Sequence, residues 1–147
     1  MRHFLFPALG LLALLPQLSA ASETPSPDKS ILRVNVSNQP HNFALPWQKR
    51  QPGSKQGLGA LLDGGRVLVT AELIQDSSYL EFEVASSGKK LTAQVATVDY
   101  EANLAVLVPK EKPDDFFTGL VPFPMSGNPP QKGDRLEVWQ FESNGTP

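Results

Sequence analysis

The sequence predicts an all-β domain, an antiparallel barrel or sandwich of six short strands over residues 31–110. Three observations predict it. Short runs of alternating or continuous apolar residues recur at close spacing. Fourteen prolines and eleven glycines in 147 residues favour tight connections. No stretch shows a convincing helical period, and strands without helices must cover one another.

The strands follow in order. ILRVNVS (31–37) puts Leu32, Val34 and Val36 on one face and Arg33, Asn35 and Ser37 on the other. NQPHNFALPWQKRQPGSKQ (38–56) reads as a long loop with three prolines. GLGALL ends at Asp63-Gly64-Gly65, a tight-turn signal, and RVLVTA follows, so the two form a hairpin. YLEFEVA alternates cleanly, with Leu80, Phe82 and Val84 inward. LTAQVATVD is a fifth strand, and after a short connection LAVLVP is a nearly continuous apolar sixth. These registers place Leu32, Val34, Val36, Leu68, Leu80, Phe82, Val84, Val95, Leu104 and Val106 in the core.

The flanks read differently. Residues 1–20 carry Arg2 and His3 ahead of FLFPALGLLALLPQL, with small residues Ser19-Ala20-Ala21 behind. This is the pattern of a cleavable signal peptide, too short and proline-broken for a good membrane span. Residues 21–30 are expected to be a flexible leader and 111–132 a proline-rich linker with apolar anchors, Phe116 and Phe117 among them. The formal charge of −2 argues against nucleic acid as a partner. The chain has no cysteine, which excludes disulfides and a cysteine-linked lipid. The expectation is a secreted or periplasmic protein of a bacterial envelope, with no stable membrane anchor once the signal is cleaved. The sequons at Asn35 and Asn144 matter only in a eukaryotic secretory route.

Residues 67–74, VLVTAELI, place a carboxylate, Glu72, at the end of a buried-looking strand. With Gly57-Leu58-Gly59 before it, Val98-Asp99-Tyr100-Glu101-Ala102-Asn103-Leu104-Ala105-Val106-Leu107 after it, and Gly133-Asp134-Arg135-Leu136-Glu137-Val138 beyond a linker, the order of segments resembles the trypsin-like two-barrel fold. The nearer likeness is to HtrA/Deg-type envelope proteases. In that group the strand runs into Thr-Asn-Ala-His-Val-Val, whose histidine is the catalytic base. An aspartate in Asp-Leu-Ala-Leu-Leu orients it, and the serine lies in the second barrel. The resemblance implies a six-stranded N-terminal barrel, a second barrel beginning at residues 133–147, and degenerate triad positions at Glu72 and Asn103. A PDZ-type peptide-binding module often follows the protease domain in that group.

The residue types alone lead to the same chemistry. A serine nucleophile needs a base that titrates near neutrality and a group to orient it. After the signal the chain holds one histidine, His41, in the long loop. A carboxylate is a weak base near pH 7, and an asparagine cannot stabilise an imidazolium by charge. No catalytic residue, cofactor or metal is therefore expected. A glycosidase-like pairing of Glu72 with Asp99 or Glu101, or a metal held by His41 and Glu72, has no supporting spacing. The expected function is that of an inactive protease-fold protein binding peptides or envelope proteins. The alternative is the N-terminal part of a serine endopeptidase or other hydrolase whose catalytic remainder lies elsewhere. Trp47-Gln48-Lys49-Arg50 with Lys55 is a small basic, aromatic patch that could hold a phosphate or an acidic peptide, but it reads first as a solvated loop whose tryptophan folds onto the barrel.

Overall fold

A computed structural model describes residues 27–136 and 138. After a 3-10 turn at Pro27–Lys29 come six strands: β1 (Ile31–Asn38), β2 (Gly53–Leu62), β3 (Arg66–Thr70), β4 (Ser77–Glu83), β5 (Lys90–Asp99) and β6 (Leu104–Pro109). One helical turn, α1 (Ala71–Ile74), sits between β3 and β4. Every pairing is antiparallel, and the strands close into a barrel in the order β1-β2-β3-β6-β5-β4. The expected six-stranded barrel is the observed one.

The registers divide by sequence character. Where polar residues alternate with apolar ones, the expected face holds: Leu32, Val34, Val36, Leu80, Phe82 and Val84 are all buried. Where both faces are apolar, the expected face fails. In β3, Val67 and Val69 point inward and Leu68 outward; in β6, Ala105 and Leu107 are buried while Leu104 is 45% exposed. Leu68 pairs with Val106 on the outer surface, and both are only partly buried. A run apolar on both sides carries no period to choose between them. In β5 the register shifts between Val95 and Thr97; Val95, opposite buried Leu107 and expected in the core, is nonetheless 39% exposed.

The barrel's two ends are closed by different means. At the end holding the β2–β3 turn, residues 113–120 fold across the opening. Phe116 is buried, with its ring 6.4 Å from that of Phe82 and 5.1 Å, edge-on, from that of Phe117. Phe117 in turn covers Gly65. Two backbone bonds tie the onward chain down: Val121 N donates to Lys29 O and Phe123 N to Leu61 O, each at 2.9 Å. So the expected linker with apolar anchors is held to the barrel by Phe116 and packed on it as far as residue 123. On the leader side, Ser30 is buried and its carbonyl accepts from Leu61 N. Among the described residues the folded unit takes in residues 27 to 123.

The proposed signal peptide (1–20) and residues 21–26 of the leader lie outside the described residues. Of the strand expected after Gly133, residues 133–136 and 138 are described; they form a turn and loop, with Leu136 and Val138 exposed. The remainder lies outside the described residues.

The outer surface of β1 and β4 is polar and internally bonded. Arg33 Nη1 meets Glu83 Oε1 at 3.1 Å, Asn35 Nδ2 donates to Glu83 Oε2 at 2.7 Å, and Lys90 Nζ lies 2.8 Å from Glu81 Oε1. The Asn35 amide, aided by Arg33 and Lys90, holds the Glu83 carboxyl below its ordinary value. Because the folded value is the lower one, the unfolded chain takes up its proton first as pH falls. The contribution is whole above the ordinary glutamate range and is lost as pH drops through the folded value below it. Glu83→Gln should flatten the acid limb of stability against pH, measured by urea midpoints from about pH 6 down to about pH 3. An acid limb of unchanged slope would show that Glu83 does not set it.

Candidate functional site

The other barrel end carries the residues singled out by the sequence. β3 leaves the barrel at Thr70, which is extended and makes no side-chain cap to α1. The orphan amides of the helical turn are met from the β5–β6 connection instead. Asn103 O accepts from Ala71 N at 3.1 Å, and Asn103 Oδ1 accepts from Glu72 N at 2.9 Å. Asn103 has φ 53°, a left-handed conformation that asparagine tolerates better than most residues. Asp99 shapes that turn, its Oδ1 accepting from Glu101 N at 2.9 Å and Ala102 N at 3.0 Å.

Glu72 and Asn103 are therefore neighbours at the barrel rim, as expected. The contact is between the Asn103 side chain and the Glu72 backbone, not between two side chains. Leu73 and Ile74 are helical; Ile74 plugs the core and Leu73 packs on Gly57. The Glu72 carboxylate is left on the exposed side of the turn. That answers why an acid follows an apolar strand: the strand has already ended.

Asn103→Ala removes the cap acceptor and places alanine in the left-handed region. It should cost about 1–2 kcal/mol of stability. Asn103→Asp keeps an acceptor oxygen and should be near neutral. Thermal melts of both variants check this; equal losses would show that the cap is not what Asn103 supplies.

An open groove of about 650 Å³ lies beside this rim. Leu58, Leu73 and Thr70 give it an apolar floor, and Lys55 and Glu72 stand at its side. Lys55 Nζ donates to Glu72 O at 3.3 Å. One wall is a sheet edge. β2 pairs with β1 along all eight residues of that strand but with β3 only through Ala60–Leu62. From Gly53 to Gly59 its other edge has no strand partner among the described residues. Leu61 N donates to Ser30, on the β1 side, and the β1–β2 register has no shift. Alternation then turns the backbone N–H and C=O groups of Leu58, Gln56 and Ser54 toward the groove.

Sequence reading missed this edge, because polar residues 53–56 read as loop. The signal was present in Ser54 and Gln56, which continue the alternation of GLGALL backwards. His41 lies in the β1–β2 loop, bridged to Lys49, and not beside Glu72 in the groove lining. Among the described residues no three His, Cys, Asp or Glu side chains converge to hold a metal. Asp99 is engaged in its own turn. Gly57 and Gly59 serve packing: a side chain on Gly57 would strike Leu73, and one on Gly59 would strike Val67. The groups whose titration is displaced, Glu83, Lys90 and Asp115, all sit away from this groove.

No family model matches the chain. Among curated proteins it is similar to the putative protease Do-like 13 of Arabidopsis thaliana, 24% identical over 116 residues. That match takes in 79% of this chain and 23% of the relative. It is also similar to the putative protease Do-like 3, mitochondrial, of the same plant, 27% identical over 117 residues, or 79% of this chain and 20% of the relative. A solved HtrA-type protease, AlgW with tripeptide, aligns with TM-score 0.45 and 16% identity over 58% of this chain and 24% of that one. The chain spans about a fifth to a quarter of the length of the curated relatives it matches. Fold and relatives are compatible: a closed six-stranded antiparallel barrel, consistent with a trypsin-like barrel, in a chain similar to Do-like proteases.

Proposed function

We propose that this is a non-catalytic protein of the HtrA-type protease fold, exported to the bacterial envelope, that binds extended peptide segments in the groove beside Glu72. The observation that carries the reading is the unpaired edge of β2. An extended peptide adds to such an edge through its main chain, and a neighbouring apolar floor selects alternate side chains. Leu58 and Leu73 supply that floor and Lys55 a cation at its side.

Catalysis is set aside on residue chemistry. On the resemblance, Glu72 would take the place of the base and Asn103 that of the orienting acid, and Asn103 spends its side-chain oxygen on the Glu72 amide. Neither supplies what a serine nucleophile requires. A blocked hexapeptide of alternating valine and threonine should bind and remain intact. The same peptide N-methylated on its pairing edge should lose most of its affinity, since it keeps every side chain and forfeits the main-chain bonds. Equal binding of both peptides would remove the strand-addition reading.

A second reading has its own support. Leu68, Val106 and Leu104 form an apolar outer surface on β3 and β6, and the relatives are four to five times longer than the matched stretch. On that reading this barrel is one part of a longer serine endopeptidase or other hydrolase. A Gly-x-Ser-Gly-Gly segment downstream in the natural reading frame would favour it.

A further inference from the structure

The β1–β2 loop, residues 39–52, is a shaped projection with its large apolar side chains in water. Phe43 is 88% exposed and Trp47 76%, with Leu45 between them also exposed. The tryptophan expected to fold onto the barrel does not. Yet the loop's backbone is well bonded: Gln48 N donates to Leu45 O at 2.8 Å, Leu45 N to Asn42 O at 3.1 Å, and Arg50 N to Pro40 O at 2.9 Å. Asn42 Oδ1 also accepts from Ala44 N at 3.1 Å. Phe43, Leu45 and Trp47 are thus presented at alternate positions by a turn whose backbone is already bonded, so little backbone conformational entropy remains to be lost on contact.

The charges beside them have one sign. Lys49 and Arg50 follow Trp47 directly, and neither has an ion-pair partner among the described residues. No acidic residue occurs anywhere between Asp28 and Asp63, in a chain whose formal charge is −2. A basic, aromatic tip on an otherwise acidic protein complements an anionic, deformable surface. Trp and Phe rings settle at the level of lipid headgroups, and each basic residue close to such a surface raises partitioning roughly fivefold. A protein partner would need a pocket shaped to three projecting side chains; a headgroup layer needs none.

We propose that residues 43–50 form a peripheral docking loop for anionic phospholipid surfaces, with Phe43, Leu45 and Trp47 entering the headgroup layer and Lys49 and Arg50 meeting the phosphates. The loop leaves the barrel at the end that carries the groove, since Gln39 N donates to Asp76 O directly after α1. Docking would hold the groove close to the membrane face. This assignment is independent of what the groove binds.

Tryptophan emission tests it. The chain has two tryptophans, and Trp139→Phe leaves Trp47 as the single reporter. That variant of the whole chain is mixed with vesicles of equal parts phosphatidylglycerol and brominated phosphatidylcholine, and with brominated phosphatidylcholine alone. The anionic vesicles should shift Trp47 emission to the blue and quench it, and salt at about 0.5 M should weaken the effect. Adding Lys49→Glu and Arg50→Glu should raise the lipid concentration needed by roughly tenfold or more, with the thermal melt unchanged. Quenching of Trp47 reports the loop itself, so an apolar N-terminal segment holding the chain to vesicles cannot imitate it. Emission untouched by either vesicle would overturn the proposal and leave a protein as the loop's partner. Equal quenching by both vesicles would overturn the anionic assignment.

Discussion

Phe116→Ala is expected to lower stability by about 3–5 kcal/mol, the usual range for truncating a buried phenylalanine. For a folded unit of this size that is a fall in melting temperature of roughly 15–25 °C. Phe116 is buried against Phe82, itself fully buried at the barrel centre. Its removal leaves a void at one barrel mouth and frees Phe117 from its edge-on partner. The whole barrel should lose stability, in a single transition, because the lost contacts reach the shared core. Limited proteolysis should also begin to cut after residue 110, where the packing of the wild type should protect it. A melt unchanged by the substitution would mean that residues 113–120 merely rest on the surface.

Gly59→Val should be the other severe substitution, on the order of 3 kcal/mol, with Gly59→Ala less costly. A first carbon at position 59 would overlap a Val67 methyl, and would lie 3.0 Å from Val69 and 3.1 Å from Val34. All three neighbours are β-branched valines with little rotamer freedom, so the backbones must part. The prediction is checked by denaturant midpoints beside Gly64→Ala. Gly64 has open space around it but φ 75°, so its cost comes from backbone conformation alone. A smaller loss for Gly59→Val than for Gly64→Ala would show that close packing across β2 and β3 is not required.

What the sequence revealed depended on contrast between neighbouring residues. In β1 and β4 charged or amide side chains alternate with Val, Leu and Phe, and one face was legible. In β3 and β6 both faces are apolar, so Leu68, Leu104 and Val106 gave no clue that they point outward. The β5 bulge at Ala96 has no glycine to mark it. Glu72-Leu73-Ile74 is too short to show a helical period, and its cap comes from Asn103, thirty-one residues onward, which no local pattern discloses. The neighbourhood of Glu72 and Asn103 was legible only through the family resemblance, in which the two matching positions face one another. The open β2 edge was not, since it is defined by where β3 stops. Nor was the exposure of Trp47, because burial is the common fate of a tryptophan and only the fold shows that this loop projects.

Amide NMR of the labelled chain, titrated with the blocked valine–threonine hexapeptide, tests the central claim most directly. The predicted result is a set of shifts confined to Ser54–Leu58, Thr70, Glu72 and Leu73. The amides of Ser54, Gln56 and Leu58 should become protected from exchange, and the peptide mass should be unchanged at the end. Shifts centred elsewhere on the barrel, or recovery of a cleaved peptide, would contradict a non-catalytic groove that binds by strand addition to β2.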